Sequence, residues 1–187
     1  MIPVVQLVRS LRYALRDMQG LKYSDYELIE SINQAVNLLY GRLSESYVQA
    51  VLKKKILAVG ENGTAALPKD FVRIHQLGMG DGLAAIPTSG AATAEGTYRI
   101  IGDTLYAPEG AYSLEYYYIP KRVTSLTDEV DAPQSMSPYL ERISLAIFGN
   151  NLETAEQIVT QCLQVLAARE VSHFTDVGPV QVLGGRI

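Results

Sequence analysis

Ser24-Asp-Tyr-Glu-Leu-Ile-Glu-Ser-Ile-Asn-Gln-Ala35 is the stretch from which the rest of the chain takes its bearings. Ser24 followed three residues later by Glu27 is a capping box, in which each side chain serves the other residue's backbone N–H. Tyr23 stands where a hydrophobic staple onto Leu28 begins. Leu28, Ile29, Ile32, Ala35, Val36, Leu39 and Leu43 then recur at helical spacing. The pattern predicts a helix over 24–51, with Gly41 as a weak point and Tyr47, Val48 and Val51 extending it. Upstream, Pro3 suits a first helical position because its missing N–H costs nothing there. Val4, Leu7, Val8, Leu11, Leu15 and Met18 predict a helix over 3–19 that Gly20 closes.

From about Lys54 the period changes to that of strands. Ile56–Val59 and Thr64–Leu67 flank Gly60-Glu-Asn-Gly63, whose Asn-Gly pair signals a hairpin. Phe71–Met79 reads as another strand, and 87–97 as an exposed small-residue loop. Tyr98–Ile101 and Thr104–Ala107 pair around Gly102-Asp103, and Tyr112–Ile119 follows. Together these predict an antiparallel meander over about 54–120. Helical spacing returns after a polar connector at 124–134. Ser137-Pro138 predicts a capped start for a helix over 137–148, with Leu140, Ile143, Leu145 and Ile147 on its apolar side. Gly149-Asn-Asn151 interrupts it, and Asn151 caps a further helix over 151–170. There Leu152, Ala155, Ile158, Val159, Cys162, Val165 and Leu166 face inward.

The expected architecture is α+β: a helical bundle of four helices in two pairs, an inserted antiparallel β-meander and an extended C-terminal arm. One domain spans 1–171. The arm, 172–187, carries Phe174, Val177, Val180, Val182, Leu183 and Ile187 with no helical period, and Gly178-Pro179 and Gly184-Gly185 break it up. Apolar side chains on such a segment call for a destination on another chain. Val180-Gln-Val182 suits strand addition to a sheet edge.

Composition narrows the function. With 187 residues, 48% hydrophobic and 19% charged, the chain is long and apolar enough for a core and too apolar for intrinsic disorder. Sixteen Lys and Arg against twenty Asp and Glu give a net charge of −4, which disfavours a stand-alone nucleic-acid-binding module. A single cysteine excludes a disulfide framework within the chain. His75 and His173, far apart in sequence, make a His-based metal site improbable. No apolar run reaches the roughly 18–20 residues of a membrane span, and no basic lead precedes the first apolar residues, so a signal peptide is not expected. A soluble protein made in a cytoplasm is the expectation.

No motif specifies a reaction. Gly78-Met-Gly-Asp-Gly82 is glycine-rich, but no helix follows it to receive a phosphate, and a turn is the expected role. Cys162 falls on a predicted apolar face, and neither histidine sits in a motif that would activate a nucleophile. Asp25, Glu27 and Glu30 fit helix N-terminal capping, and Asp128, Glu129 and Asp131 lie in a polar connector. A cell-wall glycan hydrolase using these carboxylates is the enzymatic alternative. No enzyme, cofactor or metal is expected.

Three features bear on assembly. Arg9, Arg12 and Arg16 form a stripe that is either simply solvated or faces nucleic acid or acidic residues of another chain. Lys53-Lys-Lys55 either lines a DNA passage or is a solvated run at a helix end. Tyr112, Leu114, Tyr116 and Tyr118 alternate onto one face of a strand, with Tyr117 and Ile119 on the other. Both faces call for burial, either beneath helices of the same chain or beneath a neighbouring subunit. Twelve tyrosines against three phenylalanines and no tryptophan suit surfaces buried late, during assembly.

The order of these parts resembles the head-to-tail adaptor proteins of tailed bacteriophages, also called connector or head-completion proteins, especially the short-tailed type. The stretches that carry it are Ser24–Ala35, Leu67-Pro-Lys-Asp-Phe-Val-Arg-Ile74, Tyr98-Arg-Ile-Ile-Gly-Asp-Thr-Leu105, Tyr116-Tyr-Tyr-Ile-Pro120 and Asp128-Glu-Val-Asp-Ala-Pro133. The resemblance spans roughly 1–171 and rests on their order and spacing. It implies a homo-oligomeric ring, generally a dodecamer, below the portal protein, with helical bundles around a DNA channel and C-terminal arms reaching the portal or a neighbour. A tail or nozzle protein is the partner on the far side, and the virion's head-tail junction is the location. Genomic DNA passes non-specifically, and no membrane or catalytic set is implied.

Overall fold

The computed structural model describes residues 1–46, 48, 51–79, 84–90 and 96–175. Strand β1 (Ile2–Pro3) leads into helices α1 (Val4–Ala14) and α2 (Asp25–Glu45). Then come β2 (Leu52–Val59), β3 (Thr64–Ala66), β4 (Phe71–Met79), β5 (Ile86–Pro87), β6 (Thr97–Ile101), β7 (Thr104–Tyr106) and β8 (Gly110–Tyr118). Strand β9 (Glu129–Val130) and a 3-10 turn (Gln134–Met136) precede α3 (Ser137–Phe148) and α4 (Leu152–Thr175). The chain is therefore α+β, with four α-helices and mainly antiparallel strands among the described residues.

The capping box forms. The Glu27 N–H donates to Ser24 Oγ at 3.3 Å, and the Ser24 N–H donates to Glu27 Oε2 at 2.8 Å. The apolar face predicted for α2 is the buried one from Leu28 to Leu43, but the helix stops at Glu45, and buried Val48 and Val51 belong to the link beyond it. Helix α1 is shorter than the expected 3–19. Its last helical residue is Ala14, Arg16 adopts a left-handed φ of 55°, and Met18 is exposed. Ser137 lies inside the first turn of α3 rather than capping it, and its hydroxyl donates to Glu141 at 3.1 Å. Asn151 does cap α4, accepting the Thr154 N–H at 3.0 Å. Leu152 and Val165, expected inward, are exposed, whereas Ala155, Ile158, Val159, Cys162 and Leu166 are buried. Helix α4 continues five residues past the expected 170, since an established helix gains one backbone hydrogen bond with each residue it adds.

The strands exist where read, but they do not form a meander. β8 is central, with β2 and β4 antiparallel on either side, so strands far apart in sequence pair. The turn at Gly60–Gly63 closes with the Gly63 N–H donating to the Gly60 carbonyl at 2.9 Å. It forms no ladder between β2 and β3, because β3 pairs with β7 in a second sheet of order β3-β7-β6-β5. The β6–β7 hairpin around Gly102-Asp103 is as predicted, while β5 joins β6 in parallel. A third pairing, β1 with β9, was not legible beforehand.

Helix α3 packs against α1, α2 and α4, and α2 also meets β8. Asn33 on α2 ties the helices to the sheet's exit. Its Nδ2 donates to the Val123 carbonyl at 2.9 Å, and the Val123 N–H donates to its Oδ1 at 3.0 Å, both buried.

Candidate functional site

The turn joining α1 to α2 is built around one carboxylate. Asp17 is buried, and it accepts the backbone N–H groups of Leu21 at 2.9 Å, Lys22 at 3.1 Å and Tyr23 at 3.1 Å. Arg12 Nη1 donates to it at 3.0 Å. Burial alone would raise the Asp17 pKa, but the N–H groups of Lys22, Tyr23 and Leu21, with the Arg12 charge, outweigh it and hold the carboxyl below its usual value. Arg12 also reaches Asp25 Oδ1 at 2.6 Å and the Tyr23 carbonyl at 3.2 Å. The side chain expected in a free basic stripe is thus an internal tie between α1 and the start of α2. This corrects the stripe: Arg12 is committed within the chain, Arg16 is off the helix, and only Arg9 lies on the exposed face of α1.

Cationic and apolar side chains are exposed around this turn, beside the half-exposed Asp25. Arg9, Arg16 and Lys22 make no ion pair among the described residues. Tyr13, Met18 and Leu21 are exposed beside them. A groove of about 740 Å³ is lined by Tyr13, Arg16, Asp17, Met18, Leu21 and Lys22, and a second recess of about 450 Å³, which Arg9 lines, adjoins it through Met18 and Gln19.

The lysine run lies on β2, not at a helix end, so its side chains alternate between environments. Lys53 Nζ donates to Asp70 at 2.7 Å and also to Asp131, and it sits 3.9 Å from the centre of the Tyr118 ring. Burial works against its charge, but the hydrogen bonds to Asp131 and Asp70 prevail and push its pKa up to about 12. Lys54 pairs with Glu115 at 3.2 Å, and Lys55 is exposed.

Tyr112, Tyr116, Tyr117 and Tyr118 are all buried within this one chain. This corrects their reading as a subunit interface: these side chains are already covered within the subunit, and β8, as the middle strand of its sheet, has both of its edges paired as well. The Tyr112 hydroxyl donates to the Pro108 carbonyl at 2.9 Å, Tyr116 to Asp70 at 3.2 Å and Tyr118 to the Asp131 carbonyl at 2.9 Å. Burial, then the Asp70 charge, push the Tyr116 phenol up to about 12. Tyr117 meets the His75 ring edge-on, with ring centres 5.8 Å apart.

Most carboxylates considered for glycan chemistry are engaged in structure. Asp25 pairs with Arg12, Glu27 caps α2, Glu30 pairs with Arg122, and Asp131 holds Lys53. Asp128 accepts the N–H groups of Thr124 at 2.7 Å and Ser125 at 3.0 Å. Among the described residues no cluster of three or more His, Cys, Asp or Glu is placed to hold a metal ion, and no helix is long and apolar enough to cross a membrane. Of the proposed arm, Phe174 falls within the backbone of α4, while Val177, Val180, Val182, Leu183 and Ile187 lie outside the described residues. The roles of Asp17, Asp70 and Asp131 had no signal in the sequence, since each depends on partners brought together by folding. The exposed Tyr13 and Leu21 did have one, as large side chains off the apolar period. No protein-family model matches the chain, and no curated protein matches it.

Proposed function

We propose that this chain is a ring-forming head-to-tail adaptor of a tailed bacteriophage, of the short-tailed type, which joins the portal to the tail and continues the DNA channel. The observation that carries the reading is that the stretches bearing the resemblance occupy the joints of the fold. Ser24 and Glu27 start α2, and Asp70 of the 67–74 stretch holds Lys53 and Tyr116. Residues 98–105 make the β6–β7 hairpin, and Tyr116–Tyr118 complete the central strand. Within 128–133, β9 pairs with the first residues of the chain and leads into α3. In this reading the four helices form a bundle beside the channel, and the residues after α4 form the arm that reaches the portal or a neighbour.

The subunit acts structurally, without catalysis or cofactor, in a ring with the dodecameric symmetry of the resemblance. Its contacts lie on surfaces other than the β8 tyrosines. A net charge of −4 suits a conduit, since each phosphate neutralised by the wall would add affinity that DNA transit must overcome. The test is complementation. Heads assembled without this chain should package DNA yet accept no tails, and purified chain added back should restore attachment. Normal attachment in its absence would overturn the reading.

A further inference from the structure

We infer that the groove at the α1–α2 turn is a docking site for an acidic, apolar-anchored segment of another protein. The inference goes beyond the adaptor reading and does not depend on the chain forming a ring.

Six of the thirteen large apolar side chains exposed among the described residues lie within the first 26 positions. Tyr13 is 76% exposed and Leu21 80%. On α1, Val5, Arg9 and Tyr13 stand four residues apart on the solvent face, opposite the buried Val4, Leu7, Val8 and Leu11. Solvation does not account for such a stripe. Concentrated apolar exposure marks an interaction surface, and Tyr, Met and Arg are the residues that interface cores favour.

Charge identifies the occupant. The groove and its adjoining recess hold four cations, Arg9, Arg12, Arg16 and Lys22, against two carboxylates, Asp17 and Asp25. That is a local charge of +2 on a chain of net −4. Both carboxylates are bound to Arg12, so the three exposed cations face solvent without internal compensation among the described residues. A segment bearing Asp or Glu beside Leu or Phe would satisfy the cations and cover Tyr13, Met18 and Leu21 together. A nucleic acid backbone would satisfy the cations alone and leave the apolar side chains wet.

The groove is also pre-organised, which lowers the ordering cost of binding. Asp17 fastens three successive N–H groups, and Gly20, at φ +68°, lies so close to Arg12 that a Cβ there would meet Nη1 at 3.0 Å.

The test is a fluorescence-anisotropy titration of the full chain with a short labelled peptide of repeating Glu-Glu-Leu-Leu. The controls are a Lys-Lys-Leu-Leu peptide and a labelled DNA duplex. Saturable binding of the acidic peptide alone is expected, weakening with added salt. Paired changes Tyr13→Ser with Leu21→Ser, or Arg16→Glu with Lys22→Glu, should each weaken it at least tenfold. Lys55→Glu on β2 should leave it unchanged, and circular dichroism should show every variant folded. The inference is overturned if the acidic peptide binds no better than the basic one, or if the groove variants bind as the parent does. DNA binding abolished by those variants, or self-association of the chain through the groove, would overturn it too.

Discussion

Replacing Asn33 by Ala removes the amide that holds Val123, ninety residues away, by both of its backbone groups. Neither Val123 group has another partner among the described residues, and the site is buried. Two lost hydrogen bonds contribute about 1 kcal/mol each, and stranding a buried N–H and carbonyl adds a desolvation cost, for a total of about 2–4 kcal/mol. For a chain of this length each kcal/mol moves the melting midpoint by about 2–4 °C, so Asn33→Ala should lower Tm by about 5–15 °C. Thermal melts followed by circular dichroism measure this directly. Urea titration should show a lower midpoint with an unchanged slope, because the surface exposed on unfolding barely changes. Asn33→Asp should do no better at neutral pH, since its carboxylate meets the Val123 carbonyl with no donor. A Tm for Asn33→Ala within about 1 °C of the parent, or about 0.5 kcal/mol, would refute the reasoning that this clamp joins helices to sheet.

Arg12→Gln should destabilise the chain by about 2–3 kcal/mol, by leaving buried Asp17 without its cation, whereas Arg9→Gln should leave Tm unchanged. Urea unfolding of the two variants compares them. Gly20→Ala should cost more than Gly102→Ala in the same assay. Both positions have positive φ, worth about 1–2 kcal/mol to a side chain, but only at Gly20 must Arg12 also move. Asp17, Asp128 and Glu27 are held below their ordinary pKa values of 3.8, 3.8 and 4.5. Their contribution to stability is complete above those values and is lost as pH falls through the lower folded ones. Tm should therefore decline steeply on acidification below about pH 4, and Asp17→Asn should flatten part of the decline.

Local chemistry was readable from the sequence, and partnership was not. The capping box at Ser24 and the apolar face of α2 depend on residues three and four apart, so spacing reveals them. β8 announced itself by alternation, and the Gly60–Gly63 turn by Asn-Gly. Yet alternation says only that a strand has two faces, and β8 takes β2 and β4 as neighbours through pairings that the order of strands along the chain does not specify. The tyrosines of β8 were therefore assignable to either an internal core or an interface, and the packing of the chain around them decides it. The end of α1 was obscured because Leu15 and Met18 continue the apolar period, while one carboxylate, Asp17, collects the next N–H groups and turns the chain. Arg12 looked like part of a surface stripe for the same reason. Its partners, Asp17 and Asp25, face it only after that turn has formed.

The adaptor proposal is tested most directly by imaging whole virions at a resolution that traces chains. The account predicts multiple copies of this chain, with β8 enclosed in each subunit, in a closed ring coaxial with the portal and surrounding the DNA channel. A single copy per particle, an off-axis position, or a density at the junction that this chain does not fit would contradict it.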